Sequence, residues 1–161
     1  MRSHGTSGEN ARSQEAPLNA ALLLALFFTV VLLAITTYFI MGSLPLLILK
    51  HDTPMDARFV RGFFNAYYRA VPLAAMCAAV SYAFAGRPVY ALATAALAVL
   101  AELVRRFVIP RMDALRGRLQ SDEDGRFVPA FRRVHLTAIV ANVVQLAITV
   151  GSLVTLSMQS R

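Results

Sequence analysis

Apolar and polar positions divide the chain into four long apolar stretches with polar punctuation between them. From Leu18 to Leu49 no side chain carries a charge, and the same holds from Val134 to Met158 with His135 neutral. Two shorter apolar stretches lie between these, one from about Ala70 to Ala85 and one from Val89 toward Ile109. A bilayer core of ~30 Å needs about 20 mostly apolar residues in a helix. The pattern therefore predicts an all-α fold. It is a four-transmembrane-helix bundle with spans at about 18–42, 68–86, 88–109 and 130–158. Helices 2 and 3 carry amphipathic extensions at their cytoplasmic ends. Residues 18–161 form a single membrane domain, and residues 1–17, polar and rich in Gly and Ser, read as a disordered tail.

The punctuation supports helices. Asn19 is a candidate cap for the first span, which should be disturbed after Met41 by Gly42, Ser43 and Pro45. Thr53 followed by Pro54, with Asp56 three residues after the cap, is a helix-start signal. Gly86-Arg87-Pro88 reads as a tight turn joining spans 2 and 3 into an antiparallel hairpin. Ala70, Ala74, Ala78 and Ser81 on one side, and Ala91, Ala95 and Ala98 on the other, provide small faces for close helix approach. The third helix should cross Pro110 with a kink and continue to Leu119. An acidic loop over 121–125 follows, and Pro129 restarts the chain.

The fourth span is not uniformly apolar. His135, Ala138, Asn142, Gln145, Thr149 and Ser152 recur at three- and four-residue steps, which places them on one helix face. Unpaired polar groups in hydrocarbon are costly, so this seam should face protein. Glu102 near the end of the third span needs a partner for the same reason. Arg105 and Arg106, three and four residues on, are within reach. Glu102 and His135 should lie at similar depth, with Asn142 about 10 Å and Gln145 about 15 Å deeper than His135. Glu102, Arg105, Arg106, His135, Asn142 and Gln145 are thus the candidate polar cluster, either a packing device or the lining of a cytoplasm-facing cavity.

Composition and charge add orientation and exclude some chemistry. Charged residues are only 16% and the mean hydropathy is +0.57, both typical of a membrane protein. The net charge of +7 belongs to segments between spans rather than to a nucleic-acid surface. Lys50 and eleven arginines fall in 50–69 and 105–133, against Arg2, Arg12, Arg87 and Arg161 on the other side. By the positive-inside rule those loops are cytoplasmic and both termini are outside, as in a bacterial inner membrane protein. Arg58, Arg61 and Arg69 should contact anionic lipid headgroups. Lone Cys77 rules out an internal disulfide. His51 and His135 without a carboxylate or thiolate cluster make a poor metal signature, so no metal or cofactor is expected.

Some residues carry a family resemblance. They are Met41-Gly42-Ser43-Leu44-Pro45, Ile109-Pro110 with Asp113-Ala114-Leu115-Arg116, and Phe131 with His135 and Asn142. Together these resemble the small four-helix membrane proteins of the anthrone oxygenase-like domain-of-unknown-function family, over about residues 18–157. That family tends to have an Asn shortly after the third-span proline and a tryptophan near the fourth span. Here Arg111 and Met112 follow Pro110, and there is no Trp. The resemblance implies a cofactor-independent membrane enzyme acting on a lipophilic substrate. The residues themselves favour a scaffold or accessory subunit, since no Ser/His/Asp set, phosphate-cradling Gly loop or Rossmann fingerprint is present. A small transporter or proton-coupled channel is the third class. The lipid bilayer is the expected partner, and a homo-oligomer or larger membrane complex fits all three classes.

Overall fold

The computed structural model describes residues 6–48, 54–119 and 128–159. All secondary structure among the described residues is helical. Helix α1 spans Thr6–Ile48, α2 Pro54–Phe84, α3 Pro88–Leu103, α4 Ile109–Leu119 and α5 Val128–Gln159. A π-helical turn, Val104–Val108, joins α3 to α4, so these three pieces run on as one rod and the described residues form four rods. Neighbouring rods are α1 with α2, α2 with α3, α3 with α5, and α5 with α1. That cyclic order places α2 and α5 on a diagonal across the bundle.

The buried stripe of each rod shows why the rods associate. On α1 it is Ala25, Thr29, Leu32, Thr36, Phe39 and Ser43, alternating four- and three-residue steps. A repeat of 3.5 residues keeps one seam facing its neighbours in near-(anti)parallel packing. On α2 the stripe runs from Phe64 through Tyr67, Tyr68, Val71, Ala74, Ala75 and Ala78 to Tyr82. On α3 it is Thr94, Leu97, Ala98 and Ala101. Ala74, Ala78 and Ala98 are thus buried on the small faces expected from the sequence, while Ala70, Ser81, Ala91 and Ala95 are half-buried at the margin.

The α2–α3 connection is a Schellman motif. Arg87 N–H donates to Tyr82 O at 2.9 Å and Gly86 N–H to Ala83 O at 3.1 Å. Gly86 has φ +68°, a left-handed conformation in which a Cβ would crowd the backbone. Pro88 then occupies the first turn of α3, where its missing N–H costs nothing.

Several expectations are corrected. The segment expected as a disordered tail over 1–17 is helical from Thr6, so Asn19 sits inside α1 rather than at its start. Ala11, Arg12, Gln14, Glu15 and Ala16 are good helix formers, and extending a helix already nucleated by the apolar span is cheap. Helix α1 also continues through Gly42 and Pro45 to Ile48. Gly42 lies beside Phe63, at a distance where a Cβ would make only ordinary contact with the ring, 3.4 Å. At Pro110 the rod does not simply kink. A π turn precedes the proline, with Ile109 N–H donating to Val104 O five residues back. Proline removes a donor and its ring clashes with the carbonyl four residues earlier, and the wider turn relieves that clash. Other expectations stand: α2 is helical from Pro54, where the start signal lies, and the third rod is helical through 105–119. Lys50, His51, Thr53 and the acidic 121–125 stretch lie outside the described residues.

Among the described residues, two helices are long and apolar enough to cross a membrane by length and composition, Ala20–Ser43 and Arg133–Gln159. The second and third rods do not qualify. Helix α3 is only 16 residues long before the π turn, which carries Arg105 and Arg106. The apolar part of α2 begins only after Arg69.

Candidate functional site

The polar seam of α5 faces the interior of the bundle. Along α5 the residues His135, Ala138, Asn142, Gln145, Thr149 and Leu156 are buried, and Ser152 is half-buried. The buried line of α5 is therefore its polar line. The positions between, such as Leu136, Val140, Val143, Val144 and Val154, face outward.

Asn142, 2% exposed, is the hub. Its Nδ2 donates to Ala138 O at 2.8 Å and to Tyr68 Oη at 3.0 Å. Its Oδ1 accepts from Tyr67 Oη–H at 2.7 Å. A backbone carbonyl can only accept, so the Ala138 contact fixes which end of the amide is nitrogen. Both N–H groups and the oxygen of Asn142 are thereby engaged by the protein itself. One turn further on, Gln145 Nε2 donates to Thr36 Oγ1 at 2.7 Å and to Tyr67 Oη at 3.4 Å. Thr149 donates back to Gln145 O at 2.8 Å, which satisfies its hydroxyl within the helix.

This network spans the bundle. Tyr67 and Tyr68 come from α2, diagonal to α5, so their long side chains cross the core to reach Asn142. Gln145 ties the adjacent α1. Aromatic rings wall the network. Phe39 stacks between Phe63, with centroids 5.3 Å apart, and Tyr67 at 3.8 Å. Phe64 and Tyr68 meet Phe39 edge-on at 4.9 and 5.8 Å. The two tyrosines are mutually perpendicular at 4.8 Å. His135 lies at the edge of this cluster, buried, with its ring centroid 6.5 Å from Phe64.

The sequence-predicted cluster therefore separates into two parts. Asn142 and Gln145 join one interior network. Glu102 spends its carboxylate on its own rod, accepting from Arg106 Nε at 2.7 Å and from Arg105 Nη1 at 3.4 Å, rather than on His135. Arg69 is exposed on α2. Arg58 and Arg61 lie on α2 at positions whose side chains fall outside the described residues. Among the described residues no three His, Cys, Asp or Glu side chains cluster as metal ligands would.

Sequence reasoning missed Thr36, Phe39, Tyr67 and Tyr68. A signal for the first was present, because Thr29, Thr36 and Ser43 recur every seven residues within an otherwise apolar span. All three are buried. A second polar layer lies about 10 Å away along the bundle, one Thr29-to-Thr36 step. There Thr29 and Tyr82 share a hydrogen bond at 3.0 Å, and Tyr90 donates to Thr155 at 3.1 Å. Comparison of the chain with protein-family models, curated proteins and solved structures yields no match.

Proposed function

We propose that this chain is a small integral membrane protein whose four rods all cross the bilayer, and that it acts as a scaffold or accessory subunit. The observation that carries this reading is the inverted distribution of polarity. Asn142, Gln145, Thr36 and Thr149 are inside, while Leu73, Phe84, Val89, Leu92, Val99 and Phe107 are exposed on the second and third rods. Water does not favour such an exterior, and hydrocarbon does. The rod from Pro88 to Ile109 is about 33 Å long, enough to cross a bilayer core with its arginines at one interface.

The interior supports the scaffold reading over the enzymatic one. A residue that binds substrate keeps hydrogen-bonding capacity for it, whereas Asn142 has spent its own on Tyr67, Tyr68 and Ala138. Such a network holds helices in register. The twelve-to-four split of basic residues orients the protein with the arginine-rich end cytoplasmic and both termini outside. Anionic headgroups then meet the exposed arginines at that end.

Complementation tests this reading. In a strain where deletion of the chain gives a phenotype, the variant Tyr67→Phe/Tyr68→Phe/Asn142→Leu should restore function, because it removes the polar groups together and keeps their shapes. A folded, membrane-inserted triple variant that fails to complement would instead assign these groups to ligand binding or chemistry.

A further inference from the structure

We propose that Glu102, Arg105 and Arg106 form a preorganised site for the phosphate of an anionic phospholipid headgroup. This inference rests on the membrane reading above. One carboxylate orients two guanidinium groups, taking Nε of Arg106 at 2.7 Å and Nη1 of Arg105 at 3.4 Å. Engagement through Nε leaves the two terminal amino groups of Arg106 outside the ion pair, and its side chain is 71% exposed. An arginine held this way has already given up part of its rotamer freedom and still presents a fork of N–H donors to an oxyanion. The cluster keeps a net positive charge, since two guanidiniums face one carboxylate.

The surroundings fit a lipid rather than a free anion. Leu103 and Phe107 stand four residues apart on the same rod and are exposed. They place an apolar strip beside the guanidiniums, where an acyl chain would lie if the phosphate met Arg106. Four residues beyond Phe107, Arg111 is also exposed and adds a further cation beside the apolar strip. The π turn Val104–Val108 contains both arginines and Phe107. Glu102 acts here as a positioning residue: it holds the two cations that would touch the phosphate.

The test is lipid retention by the full-length protein in nonionic detergent. Native mass spectrometry would be run with added phosphatidylglycerol, phosphatidylcholine or inorganic phosphate. The wild type should retain phosphatidylglycerol in preference to phosphatidylcholine. Exposed basic side chains at an anionic surface are each worth about fivefold, so Arg105→Gln/Arg106→Gln should reduce the preference about thirtyfold. If that double variant fails to fold with Glu102 stranded, Glu102→Gln/Arg105→Gln/Arg106→Gln replaces it and should show the same loss.

The deciding variant is Glu102→Gln alone. It makes the rim more positive while releasing both guanidiniums, so a preorganised site predicts weaker retention of phosphatidylglycerol. Equal or stronger retention would mean diffuse attraction and overturn the proposal. Displacement of the lipid by inorganic phosphate at millimolar concentration would likewise overturn the lipid assignment. Alkaline carbonate extraction of native membranes separates the two levels of inference. A protein released by carbonate sinks the membrane reading itself, whereas an embedded protein with no preference for phosphatidylglycerol sinks only this site.

Discussion

Replacing Asn142 with Leu removes the hub of the interior network while keeping a side chain of similar shape. Two of its three hydrogen bonds cross between rods, to Tyr67 and Tyr68. Interhelical hydrogen bonds in membranes average about 0.6 kcal/mol, so their direct loss is about 1.2 kcal/mol. The larger consequence is what they leave behind. Tyr67, 5% exposed, loses its acceptor, and Tyr68, 1% exposed, loses its donor. Stranding buried hydroxyls adds at least about 1 kcal/mol, which brings the expected cost to roughly 2–3 kcal/mol. Removing both hydroxyls as well should reverse most of that cost, since replacing all partners with apolar groups of similar shape is nearly neutral. The triple variant Tyr67→Phe/Tyr68→Phe/Asn142→Leu should therefore fall within about 1 kcal/mol of wild type. Unfolding by SDS titration in mixed micelles, followed by helical circular dichroism, measures all three proteins. A triple variant as unstable as Asn142→Leu alone would refute the reasoning, because the penalty would not then come from stranded hydroxyls.

Three further outcomes follow from the same packing. Ala78→Leu and Ala98→Leu should each destabilise by about 1–3 kcal/mol in that assay, because both alanines are buried and added methylenes overpack the core. Gly86→Ala should cost about 1–2 kcal/mol although the space around it is open, since the penalty lies in the left-handed backbone; an unchanged midpoint would show that the turn has another conformation. A periplasm-active reporter fused after Arg161 should be active and one inserted at Asp124 inactive, and the reverse pattern would invert the proposed orientation.

Local physics made a good part of this protein readable from its sequence. Helix starts at Pro54 and Pro88 depend on residues a few positions away, as does the Gly86 turn, and the sequence places all three correctly. The Glu102 pairing is equally local, because positions three and four residues apart meet on any helix. The seam of α5 follows from periodicity alone, and its residues from His135 to Thr149 are buried as the pattern requires. Where local signals conflicted, the structure decided. Pro45 does not stop α1, and strain at Pro110 is taken up by a π turn upstream, an adjustment no pattern of residue types announces.

Which groups the seam meets is set by the packing of the rods. Asn142 finds Tyr68 across 74 residues of sequence, and Gln145 finds Thr36 across 109. Those pairings depend on which rods are neighbours, which are diagonal, and how far each is turned about its axis. A helical pattern says which face is buried and leaves the opposing face unspecified. Nothing in the local pattern singled out Tyr67 and Tyr68. Their role as the arms that close the polar core exists only because α2 and α5 lie opposite each other, at a distance that long side chains bridge and backbones do not.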